Sequence, residues 1–94
     1  MIVSVCVVAY NEEKVLGKLL EDIQAQDYDH GKMEVVLIDS MSTDSTKEIM
    51  DRFQQQMTDF KNVQVLKNPG KKQASGWNVA IKNFSGDVMI RVDA

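Results

Sequence analysis

Acids, amides and lysines recur at one kind of position in this sequence: directly behind a short apolar run. Tyr10, Asn11 and Glu12 follow the run at 2–9. Asp39 closes the run at 34–38, with Asp44 a few residues on. Asn68, Lys71 and Lys72 follow 63–66, and Asp93 follows 88–92. An ionised carboxylate only accepts hydrogen bonds, so such a set suits base N–H and ribose hydroxyl groups. It also suits a hard cation that neutralises phosphates. The standard phosphate cradles are missing: there is no Gly-x-Gly-x-x-Gly behind the first run and no Gly-x-x-x-x-Gly-Lys-Ser/Thr. Tyr10-Asn11-Glu12-Glu13 stands where a glycine loop would be, and its charge repels a pyrophosphate. That argues against a dinucleotide site and against a nucleoside triphosphatase.

The elements that must position these residues alternate in kind. Residues 2–9 are β-branched and almost continuously apolar, the pattern of a strand covered on both faces. Val15, Leu16, Leu19, Leu20 and Ile23 then fall on one helical face within 14–26. A polar loop from Asp27 to Lys32 holds His30, read as a solvated loop histidine, and strands follow at 34–38 and 63–66. Between those strands, Asp44 suits a helix start and Ser45 with Glu48 fits a capping box, ahead of the stripe Ile49, Met50, Phe53 and Met57. Asn68-Pro69-Gly70 is turn chemistry. Ala74, Trp77, Ile81 and Phe84 mark a third helix, ended by Ser85-Gly86. A buried fourth strand is expected at 88–92, with Arg91 pairing with Asp87 or Asp93 or reaching a sheet edge.

The resulting order, βαβαβαβ, predicts an α/β, Rossmann-like three-layer fold with a mostly parallel sheet. Ligands of such sheets bind outside the carboxyl ends of the strands, where the strand order reverses. All the polar positions above lie at those ends.

Composition sets further bounds. The 94 residues make one domain at most, and the net charge of −3 lacks the basic excess of a nucleic-acid binder. One cysteine, Cys6, excludes an internal disulfide and reads as a small buried hydrophobe. The run at 2–9 has no basic segment before it and no cleavage site behind it, so it reads as a strand and not a signal peptide. A cytoplasmic location follows as the expectation, at the inner face of the membrane for a longer enzyme. A core strand followed at once by Asp93-Ala94 reads as a domain cut short.

Four stretches, in order, resemble glycosyltransferase family 2: Tyr10-Asn11-Glu12-Glu13, Ile38-Asp39-Ser40-Met41-Ser42-Thr43-Asp44-Ser45-Thr46, Asn68-Pro69-Gly70-Lys71-Lys72-Gln73 with Asn78-Val79-Ala80-Ile81, and Arg91-Val92-Asp93. The closest likeness is to bacterial members that build polysaccharides, of the succinoglycan type. The resemblance implies a GT-A fold, here its N-terminal nucleotide-binding part over residues 1–94, and a nucleotide diphosphate-sugar donor. Carried over by position, Ala9, Tyr10 and Glu12 line the nucleoside pocket, Asp39 accepts from base or ribose, and Asp44 closes the pocket or caps the second helix. Lys71 or Lys72 lies near the base or diphosphate. Asp93 is the first acid of an Asp-x-Asp motif that reaches the ribose and a Mg²⁺ or Mn²⁺ ion. The family commonly has Asp-Asp-Gly-Ser-Thr-Asp where this chain has Asp39-Ser40-Met41-Ser42-Thr43-Asp44, so the second acid is lost.

The resemblance implies inverting transfer of the sugar to a hydroxyl of a glycan or lipid-linked acceptor. No residue is assigned as catalytic base, and the chain alone is expected to be inactive. Self-association through a sheet edge at 88–92 is also expected. The alternative is a non-catalytic, receiver-like signalling module, which also gathers acids at strand ends. A receiver needs a phosphorylated Asp after the third strand, where this chain has Leu66-Lys67-Asn68.

Overall fold

The computed structural model describes residues 1–93. Strands β1 (Val3–Ala9), β2 (Met33–Asp39), β3 (Asn62–Lys67) and β4 (Val88–Asp93) alternate with helices α1 (Glu13–Gln24), α2 (Thr46–Gln56) and α3 (Gln73–Asn83). A 3₁₀ turn at His30–Lys32 leads into β2. All pairings are parallel, in the order β3-β2-β1-β4. The expected α/β, Rossmann-like architecture is the one observed.

Strand alternation decides which side chain meets which helix, because successive residues point to opposite faces. Val3, Val5, Val7 and Ala9 join Leu16, Leu20, Ile23, Met50 and Phe53 in one core, under α1 and α2. Cys6, Val36 and Ile38 join Trp77 and Ala80 in the other, under α3. Every residue of β2 is buried, which explains the apolar run at 35–38. Burial, with the Glu34 charge second, pushes the Cys6 thiol up to about 12, so it acts as an apolar filler.

Four expectations are corrected. β4 is not a buried strand: Val88 is 42% and Ile90 46% exposed, because β4 is an edge with a partner on one side only. An apolar groove of about 470 Å³ runs beside it, lined by Leu19, Ile23, Tyr28, Ile90 and Val92 among others. Of the two placements expected of Arg91, the sheet edge holds and the ion pair does not: it lies exposed on β4 without an ion pair among the described residues, its guanidinium 4.4 Å from the centre of the Trp77 ring. Val15 and Ile81 are exposed, so the buried stripes of α1 and α3 are narrower than the spacing suggested. His30 is not simply solvated: its ring stacks on Phe60 at 4.3 Å and its Nδ1 meets Asp59.

Glu34 was not singled out in the sequence, and it is fully buried near the amino end of the sheet. Its Oε1 accepts from Ser4 Oγ and Ser85 N–H at 2.8 Å. Its Oε2 accepts from Asn62 Nδ2 and Gln64 Nε2 at 2.9 Å and from Ser85 Oγ at 2.8 Å. Burial raises the pKa of this carboxyl, but the donors of Ser85, Gln64 and Asn62 more than offset it and hold it at about 2. One charge thereby ties β1, β2, β3 and the α3–β4 turn together.

The folded-state value lies below the ordinary 4.5, so this stabilisation is complete above pH 4.5 and is lost as pH falls toward 2. Glu34→Gln puts an amide among these donors and should cost about 2–4 kcal/mol in urea unfolding at pH 7. The difference between native chain and variant should shrink across that acid window; a constant difference would contradict the assignment.

Candidate functional site

The parallel register fixes what meets at the carboxyl edge. Ala9 pairs with Asp39, Asp39 with Lys67, and Val8 with Asp93. Successive strands step outward from β1 through β2 to β3, and β4 then joins on the far side of β1. The strand order therefore reverses at β1, where the connections diverge and leave a crevice. A pocket of about 350 Å³ lies there, formed by Val8, Tyr10 and Glu12 from β1 and its loop, and by Ser40, Lys71, Gln73 and Asp93.

Side-chain bonds hold the loops around it. Asn11 joins the first loop to the second: its N–H donates to Ser42 Oγ at 3.0 Å, and its Oδ1 accepts from Thr43 N–H at 2.8 Å. Asn68, only 1% exposed, joins the second to the third. Its backbone N–H donates to the Asp39 carbonyl at 2.8 Å. Its Nδ2 donates to Ser40 Oγ at 3.0 Å and to the Lys72 carbonyl at 2.8 Å, while its Oδ1 accepts from Ser75 Oγ at 2.8 Å. Gly76 lets α3 sit close on β1, since a Cβ there would fall 2.6 Å from Val8 Cγ1. The start of α3, with Lys71 and Gln73, is set by these contacts.

Backbone strain gathers at the same edge. Among the described residues, the non-glycine positions with positive φ are Asn11 (49°), Met41 (64°) and Lys71 (63°), one in each loop after β1, β2 and β3. A left-handed residue bearing a Cβ costs roughly 1–2 kcal/mol, and such strain tends to gather at functional sites.

The residues singled out from the sequence divide into two groups. Tyr10, Glu12 and Asp93 line the pocket, as does Lys71. Ala9, Asp39, Asp44 and Lys72 are not among its lining residues. Ala9 is buried, and its carbonyl accepts from Ser40 N–H at 2.9 Å. Asp39, 5% exposed, accepts from Ser42 N–H at 3.1 Å and shapes the second loop. Lys72 precedes α3, and its carbonyl accepts from Asn68, Ser75 and Gly76.

Asp44 acts on two helix starts. Oδ1 accepts from Thr46 N–H at 2.9 Å, and Oδ2 from Glu13 N–H at 3.4 Å. Desolvation pushes its carboxyl up, but the Thr46 and Glu13 donors hold it below the usual range. The capping box expected of Ser45 and Glu48 is absent, since the Ser45 side chain makes no cap bond. Asp44 accepts the first-turn N–H instead. Ser40, Gln73 and the linking roles of Asn11 and Asn68 were missed, although Asn68 and Asn11 both stood in the strand-end stretches.

Two carboxylates, Glu12 and Asp93, share the pocket with one ammonium, Lys71. No group of three or more His, Cys, Asp or Glu among the described residues forms a ready metal cage. Two oxygen-donor carboxylates beside an open pocket are a partial set, of the kind Mg²⁺ completes with substrate phosphates and water.

Comparison with known proteins gives concordant findings. The sequence model described as glycosyl transferase family 2 matches residues 4–94. A dolichyl N-acetyl-alpha-D-glucosaminyl phosphate 3-beta-D-2,3-diacetamido-2,3-dideoxy-beta-D-glucuronosyltransferase of Methanococcus voltae is 34% identical over 94% of this chain and 27% of its own length. The Staphylococcus aureus poly(ribitol-phosphate) beta-N-acetylglucosaminyltransferase TarS is 35% identical over 97% of this chain and 16% of its own length. The mannosyltransferase of Pyrobaculum calidifontis, solved with GDP-Man and Mn²⁺, superposes with a TM-score of 0.87 at 30% identity, covering 97% of this chain and 26% of that one. The chain thus spans between 16% and 27% of the length of these relatives.

Asn68→Ala removes every side-chain bond between the second and third loops described above. A loss of about 2–3 kcal/mol is expected in chemical denaturation, since buried partners are left unsatisfied. Faster hydrogen exchange at Ser40, Lys71 and Gly76 should accompany it; unchanged exchange there would contradict the linking role.

Proposed function

Because the chain belongs to glycosyltransferase family 2, we propose that the pocket at the carboxyl edge takes the nucleotide diphosphate part of a sugar donor. The observation that carries this reading is the convergence of Tyr10, Glu12, Lys71 and Asp93 on one pocket where the strand order reverses. A structural relative was solved with GDP-Man and Mn²⁺ and TarS with UDP-GlcNAc, so a nucleotide sugar is the donor class assigned. Tyr10 offers a half-exposed ring for a base, and Glu12 accepts from ribose hydroxyls. Lys71 pairs with the diphosphate. Lys72, Ala9, Asp39 and Asp44 support the pocket from behind, through carbonyls and carboxylates already engaged by the loops.

A Mg²⁺ or Mn²⁺ ion held by Asp93, with Glu12 as the further carboxylate, would act as a Lewis acid on the departing diphosphate. The reaction assigned is inverting transfer to a hydroxyl of a glycan or lipid-linked acceptor in polysaccharide or glycan synthesis. That hydroxyl needs a general base within hydrogen-bond reach. No pocket residue is assigned that role, so we expect the chain alone to bind donor without transferring sugar. A cytoplasmic site at the inner membrane face suits this chemistry; no helix among the described residues is long and apolar enough to cross a membrane. The receiver-like alternative lacks the Asp it needs after the third strand, where Leu66-Lys67-Asn68 stands.

Calorimetric titration of UDP and GDP with Mn²⁺ tests the reading. Binding should require the cation, and Asp93→Asn should weaken it by about tenfold or more, the scale of a lost charge-assisted contact. Equal affinity in the variant, or no binding by the native chain, would contradict it.

We further propose that the chain self-associates along β4, whose outer backbone groups have no strand partner among the described residues and whose Val88 and Ile90 are exposed. Sedimentation should show a concentration-dependent dimer that Ile90→Lys abolishes, and a monomer throughout would overturn this.

A further inference from the structure

Trp77 packs in the core under α3 with Cys6, Val36, Ile38 and Ala80, yet its buried indole N–H has no acceptor among the described residues. A buried donor left unsatisfied destabilises a fold, and a phenylalanine would fill much of the space without one. What an indole adds is the strongest ring face for a cation. Arg91 uses that face: its guanidinium lies 4.4 Å from the ring centre, although Arg91 stands exposed on the edge strand β4. The pair sits one layer beneath the pocket. Arg91 and Asp93 are two apart on β4 and share a face of the sheet. Gln73 and Trp77 are four apart on α3 and share a face of the helix. Asp93 and Gln73 line the pocket, and Arg91 and Trp77 lie below them, outside its lining. The register agrees: Cys6 pairs with Arg91, and Val8, a pocket residue, pairs with Asp93.

An edge strand needs such a tie, since β1 is the one strand neighbour of β4 among the described residues. The amino end of β4 is fastened: Asp87 N–H donates to the Ile2 carbonyl at 2.7 Å, and Gly86 N–H to Ser4 Oγ at 3.0 Å. Toward the carboxyl end, Val92 packs on the core under α1 and α2, and on the other face Arg91 reaches Trp77. We propose that Arg91 is a positioning residue for Asp93: stacked on Trp77, it holds the end of β4 against α3, so that Asp93 meets Gln73 and Lys71 at the pocket where the cation binds. This rests on the donor-nucleotide reading above. The orphaned indole N–H is then the consequence of presenting an indole face to the guanidinium.

The test compares the native chain with Arg91→Met, which keeps an aliphatic stem without the charge, and Arg91→Lys, which keeps a cation over the ring. Calorimetry reads the affinity for UDP and GDP with Mn²⁺, amide resonances read the Mn²⁺ broadening, and urea unfolding checks that each variant folds. Arg91→Met should weaken nucleotide binding roughly three- to tenfold, the scale of a cation–π contact. Broadening at Asp93 should fall relative to Tyr10–Glu12, a change that lost stability alone does not produce in a folded chain. Arg91→Lys should recover most of both. Trp77→Phe, with its weaker ring face, should also lower the affinity, and combined with Arg91→Met it should lose no more than Arg91→Met alone. Native affinity and broadening in Arg91→Met overturn the inference and leave the donor-nucleotide reading intact, which Asp93→Asn tests separately. So does a loss that Arg91→Lys fails to recover, unchanged broadening at Asp93, or additive losses in the double variant. A native chain that binds neither nucleotide overturns both.

Discussion

Parallel pairing makes every strand of this sheet end at the same edge, and the remaining structure follows from that. A parallel strand can return only through a crossover, so helices must cover the faces. The helices fill both faces with apolar side chains and leave the carboxyl edge as the place where polar groups can gather. Register then does the fine placement: Ala9 against Asp39 and Val8 against Asp93 put the last residues of three strands beside one another. The pocket follows from where the strand order reverses at β1 and the connections diverge.

The two ends of the sheet solve opposite problems. At the amino end, the buried charge of Glu34 is surrounded by donors from β1, β3 and the turn after α3. Such an end is rigid, since loss of any partner leaves a charge uncompensated. At the carboxyl end, the amides of Asn11 and Asn68 and the Asp44 carboxylate do the linking, and three loops carry left-handed residues. The charges there, Glu12, Lys71 and Asp93, have no ion-pair partner among the described residues and face the pocket. The amino end is thus the fully bonded one, and the carboxyl end carries the backbone strain and the unpaired charges.

Much of this was legible in the sequence because periodicity and turn chemistry are local. The alternation of apolar runs and helical stripes gave the element order, and the polar residues behind each run marked the edge. Long-range satisfaction was not legible. Glu34 opens an apolar run and looks like its solvent boundary; only the pairing with Ser4 and Gln64 shows it buried. Lys72 and Lys71 are adjacent, and it is the structure that distinguishes them: Lys71 has a positive φ and lines the pocket, while the Lys72 carbonyl is used as an acceptor. The apolar character of β4 reads as burial, whereas its place at the end of the β3-β2-β1-β4 order leaves it exposed. Asp44 looked equally suited to ligand and cap, and its two bonds to backbone N–H groups show the capping half.

Paramagnetic broadening of amide resonances by Mn²⁺, added together with GDP, locates the bound cation directly. The account predicts the strongest loss of intensity at Asp93, Tyr10–Glu12, Ser40 and Lys71–Gln73, and the weakest at Glu34 and Ser85 at the opposite end of the sheet. Broadening centred on the amino end, or spread evenly over the surface acids, would contradict it.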